Sequence, residues 1–474
     1  MGLWTRKTIQ ELQESSEEGG QKLSRHLGAV DLIFLGIGCI VGAGLFSITG
    51  IAAAENAGPA IVISFIIASI GCAFAGLCYS ELAAMIPIAG SAYTFAYATM
   101  GELMAWSIGW TLILEYAIGA AAVSISWSAY LVSLLQDFNL QLPTSITASP
   151  WQPVKLVNGI QEYGIINLPA LLIVVLISII LIIGIKQSAI ANAVMVVTKV
   201  SVTLAFIGIG YFYIDSANYH PFLPSNTGHF GEFGWSGVFR AAGIVFFAYI
   251  GFDAVSTAAQ ETKNPQRNMP IGILGSLVIC TFLYVLFAYV MTGLVNYKDL
   301  NVAAPAALAI EHTPFHWLQW LVKIAILTGL TSVILVLLLG QSRIFYSMAK
   351  DGLLPAFFCE VHPKLHTPWR SNLILMVFVG SFGALAPLEL VGSMTSIGTL
   401  LAFVMVCAGV LVLRYLEPNL IRPFKTPFVP WVPLMGICVC LFMMFFLGWE
   451  NWMRLFLWLV IGLLIYFYYG RFHR

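Results

Sequence analysis

Long apolar runs separated by short polar segments dominate the pattern of the chain. A helix that crosses a bilayer needs about 20 mostly apolar residues in succession, and runs of that length recur from residue 28 to residue 470. The pattern predicts twelve spanning helices, numbered here as spans 1 to 12, at residues 28–54, 58–86, 101–136, 166–186, 190–214, 235–260, 270–295, 316–348, 372–388, 391–414, 431–448 and 453–470. We therefore expect an all-α integral membrane protein.

The composition agrees with this expectation. Of the 474 residues, 59% are hydrophobic and only 9% are charged, whereas a soluble domain carries about 25% charged residues. So few charges cannot cover the surface of a soluble enzyme, and the chain is far too apolar to be disordered. The 22 basic and 22 acidic residues cancel, so no net charge attracts a nucleic acid.

The basic residues predict the orientation, because loops rich in Lys and Arg stay on the cytoplasmic side. With residues 1–27 as a cytoplasmic tail, most of the 22 basic residues fall on the inner side. The outer side or its edge receives Lys155, Lys298, Lys323 and Arg454. The pattern thus predicts a plasma or inner membrane protein whose N- and C-termini are both cytoplasmic.

Two spans carry interruptions at matching places. Span 1 contains a glycine-rich stretch that includes Gly42, Ala43 and Gly44, and span 6 contains the irregular stretch 246–253. Glycine weakens a helix interior, and unwound backbone at membrane depth is tolerated where it lines a cavity. Interrupted helices in corresponding positions point to a transporter site; the alternative is that small residues only permit close helix packing.

A broken helix offers backbone groups to a ligand. The N–H groups at the start of a half-helix suit a carboxylate, and freed carbonyl groups suit an ammonium group. A break that offers N–H groups, together with a break that offers carbonyl groups, would bind the carboxylate and the ammonium group of one amino acid.

Ionisable residues inside spans are functional candidates, because their burial is costly. Lys199 lies in span 5, where desolvation disfavours its charged form, so it could gain and lose a proton during transport. It could equally be a static cation that braces the break in span 1, or reach towards the cytosol. Glu115 in span 3 lies either on a proton route or in a structural hydrogen bond.

Metal and enzyme chemistry find no support in the sequence. The pairs His312/His316 and His362/His366 are each interrupted by a proline-containing segment and do not form a metal pattern. No nucleotide-binding, metalloprotease or nucleophile motif occurs. We predict neither a resident cofactor nor catalysis.

Several motifs resemble one family. Gly42-Ala-Gly-Leu-Phe46, Gly109-Trp-Thr-Leu-Ile-Leu-Glu-Tyr116, Glu261-Thr-Lys-Asn-Pro-Gln-Arg267 and Asp351-Gly-Leu-Leu-Pro355 are similar to motifs of the amino acid–polyamine–organocation (APC) transporters. The bacterial form of the cationic amino acid transporter (CAT) family is the most similar branch. Thr111 stands where that branch often has Asp.

The resemblance implies a LeuT-type fold with twelve transmembrane helices and a 5+5 inverted repeat. Spans 1 and 6 would be the discontinuous helices. Residues 28–414 would form the transport core, with repeats at 28–214 and 235–414, and residues 431–470 would add spans 11 and 12.

The resemblance also implies roles for the residues in the breaks. Amides of Gly42, Ala43 and Gly44 would bind the substrate carboxylate. Carbonyl groups of Phe247, Ala248 and Ile250 would bind the amine, and the Phe247 ring would cover the substrate.

The resemblance also bears on the coupling ion and on the substrate specificity, through three further residues. The resemblance implies that the Lys199 amine replaces the sodium ion of some relatives, which makes a proton the expected coupling ion, with Glu115 as a second candidate. Leu330 in span 8 aligns with a pocket position, and its apolar side chain favours neutral substrates over cationic ones.

The sequence therefore predicts a proton-coupled L-amino-acid symporter that works by alternating access. An amino-acid or polyamine exchanger of the same fold and a membrane sensor with little flux remain alternatives. The expected partners are a small L-amino acid and the lipid bilayer, with no nucleic acid. A monomer is expected, and a sterol or a small single-span subunit stays open as a further partner.

Overall fold

The computed structural model describes residues 4–8, 11, 27–88, 90–150, 153–155, 161–184, 189–365 and 367–470. Most of the predicted tail 1–27 and the last residues, 471–474, lie outside this set. The described part is predominantly helical, as the apolar pattern predicts.

The α-helices are α1 (Ala29–Ile40), α2 (Thr49–Ala52), α3 (Ile61–Met85), α4 (Ser91–Thr99), α5 (Glu102–Ile113), α6 (Gly119–Asp137), α7 (Thr144–Thr147), α8 (Leu168–Ile183), α9 (Ala189–Tyr211), α10 (Gly234–Val245), α11 (Ala254–Thr257), α12 (Pro265–Leu294), α13 (Pro305–Glu311), α14 (His316–Lys350), α15 (Trp369–Leu385), α16 (Leu388–Leu416), α17 (Trp431–Phe446) and α18 (Trp449–Ile465). Wider π-helical turns lie at Gly44–Ile48, Ala53–Ala57, Leu114–Ile118 and Tyr466–Gly470. Tighter 3₁₀ turns lie at Gly58–Ala60, Ser216–Tyr219, Phe246–Tyr249, Ala259–Glu261, Tyr297–Asp299 and Ala356–Phe358.

One short β-hairpin departs from the all-α pattern. Strands β1 (Pro153–Lys155) and β2 (Gln161–Tyr163) pair antiparallel, with Pro153 opposite Tyr163. The hairpin lies in the polar segment between α7 and α8, where no long apolar run favours a helix. The hairpin falls between predicted spans 3 and 4, where the sequence analysis placed no helix.

Among the described residues, eight helical stretches are long and apolar enough to cross a membrane: Gly44–Met85, Glu102–Asp137, Ala193–Tyr211, Gly234–Thr257, Pro265–Leu294, Trp317–Lys350, Leu388–Leu416 and Trp449–Tyr469. Helices α1, α8, α15 and α17 are shorter but also apolar. The stretch that begins at Gly44 changes conformation at Gly58, whose φ of +61° interrupts the helix before α3 begins. The prediction of a helical, multi-pass membrane protein is confirmed.

Large apolar side chains are exposed along these helices. Leu176 on α8, Phe282 on α12 and Phe456 on α18 are each more than half exposed. Apolar surface of this extent is unfavourable in water, whereas lipid chains cover it without cost. By contrast, three charged residues of the spans are buried: Glu115, Lys199 and Lys323.

A buried lysine ties three helices together at the end of the bundle that the sequence places outside. Lys323 on α14 is completely buried, and its Nζ lies 2.8 and 2.7 Å from the two carboxylate oxygens of Asp137 at the end of α6. Glu311 at the end of α13 lies 3.4 Å away. The sequence analysis placed Lys323 at the outer edge and did not anticipate these partners.

We expect Asp137→Asn to destabilise the protein by about 3 kcal/mol. The buried ammonium group loses its close carboxylate and, among the described residues, keeps only Glu311 and the Ser133 carbonyl, each 3.4 Å away, as charged or backbone acceptors. The measurement is the midpoint of unfolding in detergent. Glu450→Gln is the matched control: its pair with Arg454 is highly exposed, so the change should stay below about 1 kcal/mol. Equal effects of the two variants would contradict this account of Lys323.

Candidate functional site

The first broken helix unwinds after α1. Val41 adopts an extended conformation and its N–H donates to the Ile37 carbonyl at 3.0 Å. The next helical bonds run from the N–H groups of Leu45 and Phe46 to the carbonyl of Gly42, at 3.1 and 3.2 Å. Because the first N–H groups of a helix have no partner within it, the amides of Gly42, Ala43 and Gly44 are the donors that this break makes available.

The second broken helix unwinds after α10. The chain tightens into the 3₁₀ turn Phe246–Tyr249, then extends at Ile250 (φ −60°, ψ 135°). Gly251 follows with a φ of +112°, a conformation that favours glycine. Helical structure resumes only in the short α11. The weak sequence signal in span 6 thus corresponds to a true break.

The two breaks cross in direct backbone contact. A Cβ atom on Gly44 would lie 2.6 Å from the Cβ and 2.7 Å from the N of Ala248, so no side chain fits between them. The two broken helices also approach each other at a second point, where a Cβ on Gly251 would lie 2.9 Å from the Cβ of Cys39. Residues far apart in sequence are thereby assembled at one place in the interior.

Tyr284 on α12 joins the two breaks. Its hydroxyl oxygen lies 2.8 Å from the carbonyl oxygen of Ile40 and 2.8 Å from that of Ala248. Tyr284 is completely buried. Sequence reasoning missed it, although a tyrosine in a mainly apolar span is a usable signal, since a buried hydroxyl needs a hydrogen-bond partner.

We expect Tyr284→Phe to reduce transport roughly tenfold, because the two buried carbonyl groups lose the one hydroxyl hydrogen that they share, at a cost of about 1–3 kcal/mol. Initial uptake rates in proteoliposomes measure the effect. Tyr415→Phe removes a hydroxyl from a side chain that is 86% exposed and should leave uptake unchanged. Normal uptake by Tyr284→Phe would show that the bridge is dispensable.

Lys199 on α9 binds the carbonyl end of α1. Its ammonium group donates to the carbonyl of Gly38 and, at 3.0 Å, to that of Val41. The side chain is 1% exposed, and a Cβ on Gly329 of α14 would lie 3.2 Å from its Cδ. The cation therefore lies between helices α1, α9 and α14, at the negative end of the α1 dipole.

Two carboxyl groups form a second buried cluster. Glu115 lies in the π-helical turn between α5 and α6, and Asp253 lies just before α11. Tyr116 and Ser91 donate hydroxyl hydrogen bonds to Asp253, the second at 3.2 Å. The Glu115 carboxyl is completely buried, and neither of its oxygens has a hydrogen-bond partner among the described residues. It is close enough to Asp253 to interact with it electrostatically. Asp253 is the last residue of the irregular stretch 246–253 in span 6.

Leu330 lies on the face of α14 that approaches the first break. A Cβ on Gly42 would lie 3.4 Å from the Cγ2 of Val333, which is one helical turn beyond Leu330. Leu330 itself is completely buried. Phe247 and Ile250 are each 6% exposed. The predicted substrate-binding residues therefore lie around the crossing of the breaks.

The carbonyl groups of the second break already have partners. The Phe247 carbonyl accepts from the Ile250 N–H at 3.2 Å, and the Ala248 carbonyl accepts from Tyr284. A carbonyl oxygen has two lone pairs, so each can accept one more hydrogen bond. The crossing thus presents N–H donors on one side and carbonyl acceptors on the other.

The comparisons with known proteins agree with this geometry. The family described as "Amino acid permease" matches residues 27–467. The chain belongs to the amino acid permease family. The resemblance to bacterial APC transporters is confirmed, and the permease is a membrane transporter rather than an enzyme.

Similar proteins cover nearly the whole permease. It is 43% identical to the branched-chain amino acid permease BcaP of Bacillus subtilis, over 99% of this chain and 98% of that protein. It is 40% identical to the methylthioribose transporter of the same organism, with the same coverage. It is 38% identical to cationic amino acid transporter 4, vacuolar, of Arabidopsis thaliana, over 87% of this chain and 67% of that protein.

Proposed function

We propose that this permease is a proton-coupled symporter for neutral L-amino acids that works by alternating access. The observation that carries the proposal is the crossing of the two breaks at Gly44 and Ala248. It brings amide donors of one break and carbonyl acceptors of the other together, inside a membrane protein of the amino acid permease family.

The architecture that goes with this function is a LeuT-type fold of twelve spans. Residues 28–214 and 235–414 form inverted repeats, and residues 431–470 supply two further spans. Two features support it. The stretch from Gly44 to Met85 contains the end of one predicted span and all of the next, and α10 and α11 repeat the broken form of the first span.

The substrate backbone binds at the crossing. The backbone amides of Gly42, Ala43 and Gly44 donate hydrogen bonds to the substrate carboxylate. The substrate ammonium group donates to the backbone carbonyl oxygens of Phe247, Ala248 and Ile250. Phe247 covers the bound molecule. The positive end of the half-helix that begins at Gly44 adds to carboxylate binding.

A proton is the coupling ion, and no resident cofactor or metal takes part. Lys199 is its carrier, because an ammonium group in contact with Gly38 and Val41 holds the end of α1, and a neutral amine holds it less well. Glu115 is the second candidate. Its carboxyl is completely buried without a hydrogen-bond partner among the described residues and interacts electrostatically with the buried Asp253, and two neighbouring buried carboxyl groups disfavour ionisation of both.

Neutral side chains are preferred over cationic ones. The stretch Thr328–Ser332 of α14 carries no carboxylate, and Leu330 presents an apolar surface. The similar protein of Bacillus subtilis is named for branched-chain amino acids. A cationic substrate would leave its charge unpaired in such a pocket.

We place the permease in the plasma or inner membrane with both termini in the cytoplasm, as the distribution of Lys and Arg indicates. It acts as a monomer. A sterol or a small single-span subunit remains an open prediction.

The test is uptake into proteoliposomes with competition by the twenty amino acids and methylthioribose, with and without an imposed proton gradient. Valine, leucine, isoleucine or alanine should compete best, and an inward proton gradient should drive accumulation. Competition by arginine and lysine alone would contradict the neutral preference. Uptake that depends on internal substrate instead of the gradient would identify an exchanger, and binding without flux would identify a sensor.

We expect Leu330→Ser to weaken competition by leucine and valine about tenfold, since lost apolar contact in a specificity pocket is worth about 1–3 kcal/mol. Larger side chains should gain relative to small ones. Leu321→Ser, on the exposed surface of the same helix, is the control and should leave the order of competitors unchanged. An unchanged order in Leu330→Ser would remove this residue from the pocket.

A further inference from the structure

A long groove lies on the outside of the helical bundle, away from the crossing of the breaks. It has a volume of about 850 Å³ and runs along the first turns of α12, from Gln266 and Arg267 to Ile279. Pro423 and Phe424, from the segment between α16 and α17, form the opposite wall. The lining is mainly apolar, with the polar side chains at one end.

The length of the groove matches one leaflet of a membrane. At 1.5 Å per residue, the helix from Gln266 to Ile279 spans about 20 Å, and half of the hydrocarbon core is about 15 Å thick. Ile271 and Val278 in the lining are 40% and 56% exposed. The groove can therefore take an acyl chain along its floor while a polar headgroup stays at the Arg267 end.

The charge at that end is unbalanced. Arg267 is exposed and, in the described part of the chain, pairs with no carboxylate. Lys263 and Lys425, which adjoin the two walls in sequence, are likewise exposed and unpaired within the same residues. By contrast, Arg414 forms a bidentate ion pair with Glu81, in which its Nε and Nη2 each lie 2.9 Å from a carboxylate oxygen.

A proline adds a free acceptor beside these cations. Pro270 lies inside α12 and has no N–H group, so the carbonyl of Gln266 lacks its usual helical donor. A headgroup hydroxyl could supply the missing hydrogen bond. The groove thus offers cationic side chains for a phosphate, a free carbonyl for a headgroup hydroxyl and an apolar floor for an acyl chain. A phosphate-bearing lipid with a hydroxylated headgroup has all three of these parts.

We propose that this groove is a binding site for one anionic glycerophospholipid, with its phosphate on Arg267 and an acyl chain against Leu274 and Val278. Basic pockets between helices at the cytoplasmic side of a membrane favour anionic lipids. The site is separate from the crossing of the breaks, so it does not depend on the proposed transport mechanism.

The experiment is native mass spectrometry of the purified full-length protein in detergent, titrated with palmitoyl-oleoyl phosphatidylglycerol or with phosphatidylcholine of the same chains. The wild type should retain one phosphatidylglycerol in preference to phosphatidylcholine. Arg267→Gln should weaken that binding roughly fivefold, the effect of one basic residue on an anionic lipid. Lys364→Gln, which removes an exposed cation from another loop, is the control and should bind as the wild type does.

A second pair of variants tests the apolar floor. Val278→Trp fills the groove and should reduce phosphatidylglycerol binding, whereas Leu172→Trp, at an exposed position on α8, should not. Equal binding of phosphatidylcholine, equal losses in Arg267→Gln and Lys364→Gln, or unchanged binding in Val278→Trp would each overturn the proposal. Displacement of the lipid by glycerol 3-phosphate would reduce the site to a headgroup site, and displacement by cholesterol would make it a sterol site; both overturn it.

Discussion

A Gly44→Ala variant is expected to reach the membrane but to lose at least nine-tenths of its uptake activity. Its new methyl group would lie 2.6 Å from the Cβ of Ala248 and 2.7 Å from its backbone N, far inside van der Waals contact. Forcing an extra carbon into a packed contact costs about 1–3 kcal/mol, and the two breaks must move apart. A tenfold loss of activity corresponds to about 1.4 kcal/mol.

Two other glycines provide the controls. Gly208 on α9 has no neighbouring atom within 4 Å of an added Cβ, so Gly208→Ala should retain full uptake. Gly42→Ala places its methyl group 3.4 Å from Val333, an ordinary contact, and should disturb the crossing much less than Gly44→Ala. The amide N–H survives in all three variants, so a selective loss in Gly44→Ala would report the spacing of the breaks.

The measurement is initial uptake, corrected for the amount of protein in the membrane and combined with thermal unfolding in detergent. A Gly44→Ala protein that transports within twofold of the wild type would show that the two breaks do not need close contact.

The second large effect concerns Lys199. In Lys199→Ala, the carbonyl groups of Gly38 and Val41 lose the ammonium group that both contact. Unpaired buried acceptors cost about 1–3 kcal/mol each, so we expect a stability loss of about 3 kcal/mol. We also expect uptake to stop responding to an imposed pH gradient, because the proposed proton carrier is gone.

These two expectations can be separated. A static brace would lower the unfolding temperature and the rate of uptake but would leave the remaining uptake sensitive to the gradient. Proton-driven accumulation that persists in Lys199→Ala vesicles would therefore exclude Lys199 as the carrier and direct attention to Glu115. Thr198→Val changes the adjacent, exposed residue and should match the wild type in both measurements.

The helical membrane fold could be predicted from the chain alone. Each span needs a long, mainly apolar run, and the order of apolar and polar residues along the chain shows such runs directly. The helix interruption at Gly42–Gly44 was also visible, because glycines cluster there against helix propensity. The break in span 6 was a weaker prediction, since a single glycine and several aromatic residues do not by themselves end a helix.

Partners could not be predicted in the same way. The sequence marks Lys199 as costly to bury, but not which carbonyl groups accept from it. It marks Lys323 as an edge residue, whereas Asp137 and Glu311 on two other helices make its burial possible. Tyr284 and Asp253 gave no periodic signal, because their roles come from contacts between helices distant in sequence.

The sequence by itself determined that this protein is a polytopic membrane protein, where its helices run, and where one of them breaks. Those properties depend on local hydrophobicity and backbone preference. Only the tertiary structure decided that the two breaks touch at Gly44 and Ala248, that Lys199 binds the end of α1, and that a groove forms beside Arg267. Such arrangements depend on how helices far apart in the chain pack, and hydrogen bonds between them have no local pattern.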